Sequence, residues 1–336
     1  MTQPRPLFGA GNLTINSKTK PRKKFDVIKC ADRAEWLNAR VSGIGASEIS
    51  AVMDINPWQT SYDLYEKKKA GGAEDDTLAN NAAVKAGHFL EDAVARYYED
   101  LSGRHVIKAS AGDWLAIDPE HPWRRCSPDR TFFINGNGGE KGVLECKTCR
   151  RPLDKDNLPL HYYCQVQWQL GILGYRLGVL AWLASGLDFD CVEIEFDPEF
   201  FAKLTAAADE WWGNFQNNIP PKPANAADVR ALFPSPVADY AVADEMVTAD
   251  WQSLKLIKEQ IKDLQLREQE LTDKICKAIG DKEGIATEGA DGRREVLATF
   301  KAQTSSRLDS TRLKKEHPDI YEEFSKTSST RVFRLK

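Results

Sequence analysis

Two acids and an amine, Asp129, Glu145 and Lys147, lie in the segment SPDRTFFINGNGGEKGVLECKTC (127–149), where two short apolar runs flank an Asn/Gly-rich loop. The runs read as the strands of a hairpin. Side chains alternate along a strand, so Val143, Glu145 and Lys147 share one face while Leu144, Cys146 and Thr148 share the other. In the simplest register a bend centred on Asn137 sets Asp129 opposite Glu145, the alternative being a slip of one residue in the five-residue loop. Two adjacent carboxylates in a partly desolvated place repel each other. A hard cation such as Mg²⁺, which prefers carboxylate and carbonyl oxygens, removes that cost, and the Cys146 carbonyl is placed to join them. Taken alone, the triad fits an exposed edge hairpin, with Lys147 pairing Glu145, better than it fits a site. The Ser-Pro before Asp129 and the apolar lead-in Gly-Val-Leu before Glu145 reverse that balance.

The elements around this hairpin alternate in an α/β order. Helical spacing covers 31–40 and 45–55, with Ser47 as N-cap of the second, then 60–69 and about 80–102, ending at Gly103. Strand-like runs follow at 104–109, 113–117, 130–134 and 141–148, then a helix from Pro159 to about Leu173, strands at 178–185 and 191–196, and a helix from Pro198 to Phe215. Four domains of behaviour are expected: a basic flexible arm at 1–30, a core at 31–218, a Pro-rich linker at 219–236 and an accessory unit at 237–336. In the last, Leu254, Ile257, Ile261, Leu264, Leu271 and Ile275 mark a long amphipathic helix. A strand at 295–301, a short helix capped by Asp309 or Ser310 and a terminal strand at 330–336 follow it.

Composition excludes several classes. The longest apolar runs fall short of the roughly 20 residues a membrane span needs, and the N-terminal stretch lacks a secretory core, so the expected place is the cytoplasm. Seven cysteines without dense spacing point to reduced thiols. A net charge of -4 provides no global basic field, so a nucleic-acid partner requires a local basic surface. Cys146 and Cys149 form a C-x-x-C without a second paired spacing, which argues against zinc, redox and iron–sulfur uses.

The hairpin resembles the active-site hairpin of the PD-(D/E)xK nuclease fold. Four segments, RVSGIGASE (40–48), GHFLEDA (87–93), CSPD (126–129) and YCQVQWQL (163–170), narrow this. Over about residues 36–215 the chain resembles the lambda exonuclease, or YqaJ-like viral recombinase, family. The resemblance implies a phage or prophage origin and an α/β fold. A central mixed sheet would be flanked by helices, with a small helical or α+β C-terminal extension.

The resemblance also implies an activity: a 5′-to-3′ exonuclease on linear double-stranded DNA, leaving 3′ single-stranded overhangs for recombination by single-strand annealing. It would use two Mg²⁺ ions per site, Mn²⁺ substituting, and work in the bacterial host as a toroidal trimer beside a phage annealing protein. By the family pattern Asp129 bridges two ions, Glu145 and the Cys146 carbonyl hold one, Glu91 holds the other, Lys147 positions the attacking water and Gln165 orients phosphate or water. Arg40 and Ser47 match a pair that receives a terminal 5′-phosphate, Ser127 is a further phosphate contact and Val84 a wedge that opens the duplex end. Arg150, Arg151 and the run Lys18 to Lys24 are candidate backbone contacts. Residues 237–336 are expected to dock on the core, the annealing partner or the path of the remaining strand, with Arg331, Arg334 and Lys336 toward phosphate. Two alternatives stand beside this reading: an endonuclease on the same fold, and a non-catalytic module that binds DNA ends.

Overall fold

A computed structural model of the chain describes residues 25–71, 81–108, 114–136, 138–289 and 292–336. The chain divides into two compact units, 1–232 and 233–336. The first opens with β1 (Asp26–Lys29), α1 (Arg33–Val41), α2 (Ile49–Val52), α3 (Ser61–Lys69) and α4 (Ala82–Ser102). Strands β2 (Val106–Lys108), β3 (Trp114–Ile117), β4 (Arg125–Cys126), β5 (Arg130–Phe133) and β6 (Lys141–Cys149) follow. Helix α5 (Leu160–Leu173) then leads to β7 (Leu177–Ala184), β8 (Asp188–Glu195), α6 (Pro198–Gln216) and α7 (Ala226–Leu232).

The central sheet has the order β2-β5-β6-β7-β8. Its one parallel pair is β6 with β7, and parallel neighbours need a crossover, which α5 supplies. This α/β arrangement, a mixed sheet between helices, is the one the hairpin reading requires. Strands β5 and β6 pair from Arg130 opposite Leu144 to Phe133 opposite Lys141, the register that a bend at 137 gives, although residue 137 itself lies outside the described residues. The sheet is covered on both sides, so β6 carries apolar side chains on both faces. Leu144 and Cys146 belong to one core with Val94, Ala95 and Tyr98 of α4. Val143 belongs to the other, with Cys164 and Trp168 of α5 and Leu204 and Trp211 of α6. At Gly171 a Cβ would overlap the ring of Phe201, so α5 and α6 approach this closely only over a glycine.

Several expectations are corrected. The helix expected over 45–55 shrinks to the four residues Ile49–Val52, and its cap is Glu48 rather than Ser47. Glu48 is drawn inward, its Oε2 accepting from Gly45 N and from Lys68 Nζ, while the Ser47 hydroxyl accepts from Arg40. Within the expected arm, Asp26–Lys29 pairs with β3, which folds that part into a three-stranded sheet β1-β3-β4; residues 1–24, including Lys18 to Lys24, lie outside the described residues. The expected linker at 219–236 contains α7. Asp228 there is 1 % exposed and accepts from Ala224 N (2.9 Å) and from Thr60 Oγ1 (3.2 Å), which fastens 224–228 to the start of α3.

The second unit holds α8 (Glu245–Ile279), a hairpin of β9 (Gly284–Glu288) and β10 (Arg294–Thr299), and the short helices α9 (Ser310–Glu316) and α10 (Pro318–Glu323). Asp309 caps α9 by accepting from Arg312 N at 2.8 Å. Strand β9 and helix α10 had no clear sequence signal. The expected terminal strand at 330–336 does not form, since the hairpin takes no third strand; Arg331 instead donates to the Phe233 carbonyl at 3.1 Å. Among the described residues no helix is long and apolar enough to cross a membrane.

Candidate active site

Alternation along β6 places Glu145 and Lys147 on the face that α5 crosses, and the crossover is why glutamines of that helix reach them. Glu145 is 1 % exposed. Its Oε1 accepts from Lys147 Nζ at 2.6 Å and from Gln165 Nε2 at 2.5 Å, and its Oε2 accepts from Gln169 Nε2 at 2.8 Å. Asp129 sits one step before β5, where its Oδ2 accepts from the Cys146 backbone N–H at 2.8 Å. The Cys146 thiol faces the α4 side and the Cys149 thiol packs on the opposite side, as three residues of strand separation dictate, so the C-x-x-C cannot close on one ion. All seven cysteines are free thiols.

Burial pushes the Asp129 carboxyl well above the usual carboxylate range, the negative charge of Glu145 adds to this, and Lys147 only partly offsets it. Burial alone would lower Lys147, but Glu145 and Asp129 outweigh it and raise the ammonium above its ordinary value. Lys147 is therefore a fixed cation at neutral pH, a donor rather than a base. Fully ionised, the Asp129–Glu145 pair would carry more negative charge than one lysine neutralises, so Asp129 tends to hold a proton until a cation replaces it. This is the donor chemistry that suits a hard divalent cation.

Glu91 of α4 is turned elsewhere. Its Oε1 accepts from Arg130 Nη1 at 2.6 Å, and the same nitrogen donates to the Asp129 carbonyl at 2.6 Å. With Glu145 held by Lys147, Gln165 and Gln169, and Asp129 on the Cys146 amide, no three or more His, Cys, Asp or Glu side chains among the described residues converge as a ready ligand set. A cation at Asp129 and Glu145 would have to displace protein donors, first of all from Glu145 Oε1.

One cavity of about 470 Å³ gathers these groups. Glu91, Asp129, Glu145, Lys147 and Gln165 line it, and so do Arg40, Ser47 and Ser127. Arg40 Nη2 donates to Ser47 Oγ at 2.9 Å, and its guanidinium lies 4.6 Å from the ring centre of Trp36, which also lines the cavity. Val84 is outside the lining. It stands exposed on the first turn of α4, on the same helix face as Glu91 seven residues on; residue 80, the start of its expected segment, lies outside the described residues. Sequence reasoning missed Gln169 and Arg130. The first carried a usable signal, since position i+4 from Gln165 shares its helix face. The second did not, because its role depends on where α4 lies.

Two acids, a lysine and a crossover glutamine thus line one cavity of an α/β protein built on a mixed sheet. The sequence pattern of the YqaJ-like viral recombinase domain matches residues 35–176. The YqaJ protein of Bacillus subtilis (strain 168) is 31% identical over 320 residues, 90% of this chain and 94% of the relative. The chain belongs to the YqaJ-like viral recombinase family. Among solved structures, an alkaline exonuclease from Laribacter hongkongensis overlays with a TM-score of 0.45 at 21% identity, over 55% of this chain and 94% of the other. A phage related exonuclease from Haemophilus somnus 129PT gives 0.35 at 13%, over 53% and 96%.

Proposed function

We propose that the chain is a Mg²⁺-dependent nuclease that degrades one strand of linear duplex DNA in the 5′-to-3′ direction and leaves 3′ overhangs for annealing. The observation that carries this reading is the shared cavity: a carboxylate–lysine–glutamine cluster and a guanidinium–hydroxyl pair line the same space. Asp129, Glu145 and the Cys146 carbonyl would hold the metal, with Glu91 contributing after release from Arg130. Bound there, two Mg²⁺ ions supply activation of water and neutralise charge on the departing oxygen. The Lys147 ammonium orients the attacking water, and Gln165 Nε2 steadies the Glu145 carboxylate that also accepts from Lys147. Arg40 and Ser47 receive a terminal 5′-phosphate through charge-assisted hydrogen bonds. An annealing protein in the host cytoplasm and a trimeric assembly belong to the same reading.

The test is digestion of end-labelled linear duplex, with and without a 5′-phosphate, in Mg²⁺ and in EDTA, beside a closed circular duplex. Asp129→Ala and Lys147→Ala are each expected to lower the rate by at least about a thousandfold while DNA binding persists. Arg40→Ala is expected to erase the preference for 5′-phosphorylated ends. Cleavage of the circle at the linear rate would instead establish an endonuclease. DNA binding with no cleavage under any condition would leave the non-catalytic module.

A further inference from the structure

An aromatic ledge extends from the candidate site and plays no part in the chemistry above. Lys147 marks the junction: its ammonium contacts Glu145 on one side and lies 5.4 Å from the ring centre of Tyr162 on the other. Tyr162 and His161 open the first turn of α5, their ring centres 4.1 Å apart. His161 in turn meets Trp58 at 4.9 Å with the rings at 84°. Three conjugated rings thus run in succession away from Lys147.

The outermost ring is held out to solvent by its backbone. Trp58 is 72% exposed, although tryptophan is among the residues most strongly driven to burial. The turn that carries it is fixed by Asn56, whose Oδ1 accepts from Trp58 N at 2.9 Å and from Gln59 N at 3.0 Å. The Asn56 amide donates to Ser50 Oγ at 2.9 Å, and Pro57 restricts the backbone between them. His161 is present as a ring rather than as a polar partner. Its Nε2 is buried without a hydrogen bond, and burial together with the Lys147 charge lowers its pKa, so the imidazole is neutral.

We propose that Trp58, with His161 and Tyr162 behind it, stacks an unpaired nucleobase of the DNA strand whose backbone reaches Lys147. This rests on the nuclease reading of the cavity and adds a base-binding position to it. An exposed indole on a fixed turn, linked through His161 and Tyr162 to a fixed cation, suits a base and its phosphate together. It is tolerant of sequence because every base offers a π-face.

The test uses the full-length protein in EDTA, which blocks metal-dependent cleavage, and fluorescence anisotropy with labelled dT of about 12 nucleotides beside an abasic oligonucleotide of equal length. Trp58→Ala is expected to weaken dT binding about tenfold, Trp58→Phe to restore most of it, and neither to change binding of the abasic strand. Unchanged dT affinity in Trp58→Ala overturns the stacking proposal and leaves the nuclease reading standing. An equal loss on the abasic strand overturns it too, because the contact would then be to phosphate or to the turn itself. Failure of the wild type to bind dT overturns the stacking proposal as well, while the nuclease reading stands or falls by the duplex digestion above.

Discussion

The two units treat apolar side chains in opposite ways. In residues 1–232 a set of large ones, Trp168, Trp182, Phe132 and Leu180 among them, is enclosed between helices and both faces of the sheet, while Trp58 and Phe89 stay exposed. In residues 233–336 the long helix α8 leaves Leu256, Ile257, Ile261, Leu264 and Leu271 exposed, and β10 does the same with Val296 and Leu297. The first unit accounts for its own stability through burial. The second has an apolar stripe that its own unit does not cover, which marks a surface rather than a core. Chemistry is concentrated accordingly: the coupled acids and the cavity all belong to the self-sufficient unit.

Substitutions can break that contrast, and the largest effect belongs to the enclosed side. Trp168 is fully buried and its Nε1 donates to the Arg125 carbonyl at 3.0 Å. Trp168→Ala should destabilise by about 3–5 kcal/mol in urea unfolding, through the cavity left and the orphaned carbonyl. A cost under about 1 kcal/mol would mean that this core is loosely packed.

Next is the buried ion pair at 2.9 Å between Glu48 and Lys68, the latter only 4 % exposed. Burial by itself would raise Glu48, but the charges of Lys68 and Arg40 hold it below its ordinary value of 4.5. A lowered carboxyl stabilises the fold above the unfolded value, and that contribution is lost as pH falls through the folded one. Wild-type stability should therefore drop below about pH 4.5 by a component that Glu48→Gln lacks. At neutral pH the same substitution should cost about 3 kcal/mol, because it strands the Lys68 charge. Identical pH profiles would refute the coupling.

Smaller effects locate the boundary. Asp228→Ala should cost about 1–3 kcal/mol, since it leaves Thr60 Oγ1 and Ala224 N without their acceptor at the last turn of the first unit. Thermal unfolding of the variant measures it, and no shift would return 224–232 to linker status. Ile261→Asp on α8, where the side chain is 46% exposed, should change unfolding by less than about 0.5 kcal/mol. A loss of several kcal/mol there would show that the stripe is core after all, and the contrast between the units would disappear.

How much was legible follows the range of the interactions. The β5–β6 register was readable because a glycine-rich bend and strict alternation are local rules, and the α4, α5 and α6 spans were readable from caps and periodicity. The helix expected over 45–55 was misread because its sequence pattern is helical, while the actual backbone follows Glu48 toward Lys68, twenty residues on. The terminal 330–336 run has strand composition but lacks a partner, and composition cannot supply one. Gln169 was within reach of helix geometry; Arg130 and its hold on Glu91 were not.

From the sequence alone come the residue types that can do the chemistry, the faces on which Glu145, Cys146 and Lys147 project, and the order of helices and strands, because each depends on neighbours a few bonds away. Only the tertiary structure determined which of these meet. The parallel pairing of β6 with β7 routes α5 back over Glu145, the packing of α4 brings Glu91 to Arg130 rather than to Asp129, and the turn at Asn56 sets Trp58 against His161. Those contacts join segments as far apart in sequence as Trp58 and His161, and the burial that raises the Asp129 pKa exists only in the folded unit.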